Sequence, residues 1–152
     1  MNMSGKPWFL RKAATVVAIG ASSILLSVSA AHAAAPEIAV SPATGLTDGQ
    51  SVAVNGEGFP AGESVAMVQC NAPADPAALS CNYADYVPAA ADGAGAFSGN
   101  IVVRGVFDGI NPVTGQPAGT VDCASGTACA IAVGSQADPS IFAPPAPIAF
   151  GS

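Results

Sequence analysis

The stretch Gly45–Cys70, GLTDGQSVAVNGEGFPAGESVAMVQC, limits the fold more than any other part of this chain. Asp48-Gly49 marks a turn, and Ser51 to Asn55 then puts Val52 and Val54 on one face by simple alternation. Gly56, Gly58, Pro60 and Gly62 break the chain before Ser64 to Cys70 resumes an extended run. Two short alternating strands joined through Gly and Pro form the pattern of an antiparallel β-domain. The cysteine at the end of the second run suggests a strand stapled to a neighbour.

The same pattern extends in both directions. Glu37–Ser41 places Ile38 and Val40 on one face, and Pro42 ends it. Tyr83–Ala90 reads as a short extended piece, and Phe97–Arg104 as a strand with Phe97, Ile101 and Val103 on one side. Phe107–Pro117 reads as a projecting hairpin; Gly119–Cys123, Cys129–Gly134 and Ala146–Phe150 complete the set. Asn71–Ser80 is a constrained loop, and the proline-rich stretch Ala137–Pro147 is expected to be mobile or PPII-like. No segment after the N-terminal leader has a convincing 3.6-residue apolar period, so the chain is all-β. About seven short strands separated by turns imply a β-sandwich with alternating Val, Ile and Phe between its sheets. Frequent Ala and Gly suggest sheets packed through small side chains.

The leader is residues 1–33. Lys6, Arg11 and Lys12 precede the apolar run Ala13–Ser29, and Ala31-His32-Ala33 supplies a small-x-small cleavage pattern. This is read as a secretory signal peptide cut after Ala33, with Ala34 the next choice. A domain at 34–152 remains, secreted and with no later stretch long and apolar enough to span a bilayer. It keeps Arg104 as its sole cation beside ten carboxylates, a formal charge of −9, with no Lys and no His.

That balance excludes several classes of function. Phosphate binding rests on Lys and Arg contacts, so direct nucleic-acid contact by the polypeptide is not expected. Ser-His-Asp, Cys-His and Ser-Lys nucleophile pairs cannot be built, and an enzyme is not expected. The domain has no C-x-x-C pair, no histidine and no EF-hand loop, so no metal site is expected. Gly56-x-Gly58 lacks the spacing and the strand-to-helix setting of a nucleotide loop. The acidic surface favours solubility and discourages self-association, consistent with a monomer.

Asp48, Asp92 and Asp108 each precede Gly and read as turn residues. Arg104 reads as closing a strand and pairing with a nearby carboxylate; the competing role is an anchor for an anionic ligand. Export makes disulfides the default for the four cysteines, which allow three connectivities. The spacings Cys70…Cys81 and Cys123…Cys129 favour two local loops.

Taken together, Gly45–Cys70, the GTVDC at Gly119–Cys123, the cysteine spacing and the P-I-A-F at Pro147–Phe150 resemble the neocarzinostatin family. These are the secreted apoproteins of actinomycete enediyne chromoproteins. The likeness spans essentially all of 34–152. It implies a seven-stranded immunoglobulin-like β-sandwich with an additional β-ribbon, a cleft between them, and bridges Cys70–Cys81 and Cys123–Cys129, the first at the cleft. It also implies a carrier that holds a hydrophobic enediyne-type chromophore non-covalently; DNA damage in the family comes from the released chromophore, not the protein.

Ligand contacts carried over by position are Leu79, Tyr86 and Val113, expected to line a cleft open to solvent. Tyr86 stands where the family has an aromatic, or alternatively belongs to the sandwich core; Phe107 is read as packing. Other positions depart from the family. The first disulfide loop offers Asn71, Ala72 and Pro73 without a Trp, Val113 and Ala118 replace aromatics, and Ala130 replaces an amide. Ring stacking is a main way to hold a flat conjugated ligand, so the family's namesake chromophore is not the expected cargo. The alternative is an exported immunoglobulin-like structural or interaction module with no small ligand.

Overall fold

The computed structural model describes residues 34–152; the leader expected at 1–33 and its cleavage site lie outside the described residues, apart from Ala34. Nine strands follow in order: β1 Glu37–Ser41, β2 Ser51–Glu57, β3 Ser64–Asn71, β4 Val87–Ala90, β5 Phe97–Val102, β6 Val106–Ile110, β7 Pro117–Asp122, β8 Cys129–Ser135 and β9 Ala146–Ile148. They form a three-stranded sheet β1-β2-β5, a four-stranded sheet β4-β3-β8-β9 and a two-stranded ribbon β6-β7. All these strand pairings are antiparallel. Seven strands in two facing sheets, with one added ribbon, is the architecture implied by the resemblance.

Alternation decides which residues form the core. Val52 and Val54 on β2 and Phe97 and Ile101 on β5 are buried against Val65 and Met67 on β3 and Ile131 and Val133 on β8. A sandwich of this kind is held mainly by that apolar burial, about 1.5–3 kcal/mol for each fully buried large side chain. The inner layer is therefore Val, Ile, Phe, Leu and Met, not the small residues that the composition suggested. Gly99 is the exception, because a Cβ there would stand 2.6 Å from Met67 Cε. Its missing side chain admits the methionine from the opposite sheet. The alanines of β3 and β8 point the other way.

Three further expectations need correction. Tyr83–Asp85 is one turn of 3-10 helix capped by Asn82, whose side chain accepts from the Ala84 N–H at 3.2 Å; only Val87–Ala90 is a strand. Asp108 sits within β6, not in a turn, and accepts from Thr120 Oγ1 of β7 at 3.1 Å. The proline-rich stretch is tied along β8: Ser135 N–H donates to Ile141 O and Ala143 N–H to Val133 O, with Ala143 buried. Backbone pairing there outweighs the proline content.

Candidate ligand-binding site

The two disulfides are Cys70–Cys81 and Cys123–Cys129, with Cα separations of 4.0 and 5.8 Å. The first one closes a loop that also fastens the ribbon. Asn71 N–H donates to Ser80 O and Asn82 N–H to Gln69 O, which ties Ser80–Asn82 to β3. On its other side Cys81 exchanges both backbone bonds with Ile110 of β6, at 2.9 and 3.0 Å. Cys81 is thus the joint between sheet and ribbon.

A second joint was not foreseen. Gln69 is fully buried, and its side-chain amide takes both backbone groups of Arg104, each at 2.8 Å. Its Nε2 also lies 3.3 Å from Cys123 Sγ. A buried polar group is costly unless bonded, and here the amide serves as a missing strand partner for the β5–β6 connection. The only sequence signal was a polar residue at an inward position of β3.

Arg104 pairs with Asp85 through two bonds, Nε to Oδ2 at 2.9 Å and Nη2 to Oδ1 at 3.2 Å. The guanidinium, followed by the Asn82 side chain, holds the Asp85 carboxyl below its ordinary value. The only cation among the described residues is therefore engaged by a carboxylate, as the sequence reading favoured.

The outer face of the four-stranded sheet carries the small residues. Alternation leaves Ala66, Val68 and Cys70 of β3 and Ala130, Ala132 and Gly134 of β8 on that side. Register sets Cys70 beside Ala130, Val68 beside Ala132 and Ala66 beside Gly134. At the disulfide end this face deepens into a hollow of about 310 Å³, walled by Pro73, Pro76 and Leu79 of the first disulfide loop and by Pro145. That size is at the lower end for small-molecule sites.

Asn71 is the one polar side chain of its lining, and it is spent on the loop. Its Nδ2 donates to Ala78 O at 3.0 Å and its Oδ1 accepts from Ser80 N–H at 2.8 Å. The hollow offers a ligand hydrocarbon surface and no charge. Two larger hollows, of about 430 and 520 Å³, border the three-stranded sheet. Both include Glu37 and Glu57, which face each other across β1 and β2 and disfavour an apolar guest.

Of the residues singled out in the sequence, Leu79 lines the apolar hollow. Tyr86 does not line it; it is 45% exposed just before β4, outside the sandwich core. Val113 also stays apart, 85% exposed in the turn between β6 and β7. Phe107 is buried as packing. Pro76, Ala132 and Pro145 went unnoticed. Ala132 had a signal, since Cys129–Val133 is apolar at every position and so has two faces to cover.

The Neocarzinostatin family profile matches residues 38–150. The chain belongs to the neocarzinostatin family. Relatives within that family include the antitumor antibiotic C-1027 apoprotein and actinoxanthin, both of Streptomyces globisporus. Each is 40% identical over 120 residues, covering 79% of this chain and 81% of the relative. Macromomycin of Streptomyces macromomyceticus is 32% identical, covering 84% of this chain and 86% of the relative. The solved macromomycin structure superposes with a TM-score of 0.68 at 31% identity, over 76% of this chain and 99% of macromomycin. The solution structure of apokedarcidin gives a TM-score of 0.58 at 37% identity, over 78% and 100%. The neocarzinostatin family thus accounts for the sandwich, the ribbon and the two bridges.

Proposed function

We propose that the chain is a secreted carrier that sequesters a hydrophobic small molecule non-covalently, of the enediyne chromophore class. The observation that carries this reading is the apolar hollow at the Cys70–Cys81 bridge, built from side chains that can bind hydrocarbon and do little else. The family supports it, since one relative is by name the apoprotein of an antitumor antibiotic. Binding in such a site rests on apolar burial, at about 25 cal/mol per Å² removed from water. The polypeptide supplies shelter, not reaction chemistry or nucleic-acid contact.

The carrier reading makes residues 1–33 a cleaved signal and the circulating form a monomer starting at Ala34 or Ala35. Leu79 is its central contact, with Tyr86 and Val113 assigned by position in the family as outlying ones.

The test is mass spectrometry of small molecules extracted from the protein as natively secreted, with the intact mass giving the mature start. A stoichiometric hydrophobic compound that shields Leu79 is the expected result. Protein that is empty from the producing culture, and that binds no apolar compound afterwards, overturns the carrier and leaves the exported interaction module.

A further inference from the structure

We infer that Phe142 forms the far wall of this ligand site and selects for a planar conjugated group. The inference rests on the carrier reading and extends it beyond the hollow. Phe142 is 61% exposed, an unusual state for a phenylalanine held in place by backbone pairing on both sides. Gly134 and Phe142 are bridged as antiparallel partners, which puts the phenylalanine on the same sheet face as the Gly134 position. A Cβ on Gly134 would lie 3.4 Å from Phe142 Cβ, so the glycine leaves a notch beside the ring.

That face is continuous with the hollow. Ala130 and Ala132 line the hollow, and Gly134 is the next outward position on β8, roughly 7 Å beyond Ala132. Across the sheet from Phe142, the row runs through Gly134 and Ala66 to Pro88. Tyr86, extended and two residues before Pro88, stands on that opposite rim. Three inter-strand spacings separate the rims, roughly 14 Å. The result is a shallow tray with a floor of Ala66, Val68, Ala132 and Gly134, a half-exposed ring at each side, and the hollow at one end.

A floor without bulky side chains lets a flat ring system lie close to the backbone, and aromatic rims offer faces and edges to it. The aromatic surface missing from the first disulfide loop is thus supplied from the proline-rich segment after β8. The hollow itself, with only aliphatic and proline walls, takes a compact aliphatic group.

Calorimetric titration of the secreted protein with two neutral probes tests this: 2-methoxynaphthalene for the planar group and 1-adamantanol for the compact one. Phe142→Ala is expected to weaken the naphthalene about two- to ten-fold, the range of an aromatic pair, and to leave adamantanol within about a factor of two. Phe142→Trp, which keeps a ring, is expected to retain the naphthalene affinity. An equal effect of Phe142→Ala on both probes, or none on the naphthalene, overturns the role of Phe142 while the carrier stands. Wild-type protein that binds adamantanol but not the naphthalene overturns the planar site alone; wild-type protein that binds neither probe and is also empty as secreted overturns the carrier with it.

Discussion

Two buried polar side chains at the base of the ribbon behave in opposite ways. Gln69 satisfies both backbone groups of Arg104. Gln69→Leu keeps the volume but leaves the N–H and C=O of the half-buried Arg104 without that partner. An unsatisfied buried group costs about 1–3 kcal/mol and a partly exposed one less, so urea unfolding is expected to show a loss of about 1–3 kcal/mol. Ser80 is the converse: its Oγ is buried with no hydrogen-bond partner. Ser80→Ala is expected to be neutral or to raise the melting temperature, since it removes an unsatisfied hydroxyl. Beside it, a Cβ on Gly109 would fall 1.7 Å from Ser80 Oγ and 3.0 Å from Ser80 Cβ. Gly109→Ala is therefore expected to cost about 1–3 kcal/mol, with Ser80→Gly restoring part of it. Equal stability of Gly109→Ala and the parent would show that the ribbon yields at no cost.

At the scale of elements, the ribbon hangs on Cys81 and on the Gln69–Arg104 amide pair. Cys70→Ser leaves the Cys81–Ile110 backbone bonds but frees the loop that carries Pro73, Pro76 and Leu79. Loss of the bridge is expected to lower stability by about 2–3 kcal/mol. Hydrogen exchange at Asn71 and Ser80 should quicken before that at Val65 or Ile131; uniform quickening would mean that the loop is not a separate unit. Strand positions were legible in the sequence because Val52/Val54, Phe97/Ile101 and Cys129–Val133 carry the period of a half-buried or doubly covered strand. Leu79 could be placed by its offset from Cys81. Pro145 and Phe142 could not, because their place depends on backbone bonds to β8 from a segment whose prolines argue for an unpaired loop. Gln69 was equally hidden: alternation gives its side, but not what its amide meets.

For the whole molecule, acid is the relevant stress. Asp85 is held low by Arg104 and Asn82, Asp92 by the N–H groups of Ala96 and Ala94, Asp122 by Ser125 and Asp138 by Ser140. Each releases its proton more readily folded than unfolded. Their stabilisation is fully present above the ordinary Asp value, about 3.9, and is lost as pH falls through the lower folded values. The melting temperature should be level from about pH 5 to 8 and fall below about pH 4. Asp92→Asn keeps an acceptor but no charge, so its deficit against the parent should be largest at neutral pH and close below about pH 3. Parallel curves for the two proteins across that range would contradict the assignment.

β3 and β8 each carry two messages on one backbone. Their inward residues, Val65, Met67, Ile131 and Val133, answer to the opposite sheet, while Ala66, Val68 and Ala132 face outward and are only half-buried. The two sets never share a position, so the outer one can be rewritten while the inner one is left intact. Substitutions at Ala66, Val68 and Ala132 therefore reshape the outer face without entering the packing between the two sheets. The limit is a slip of pairing by a single residue, which would trade one set for the other and lose both at once.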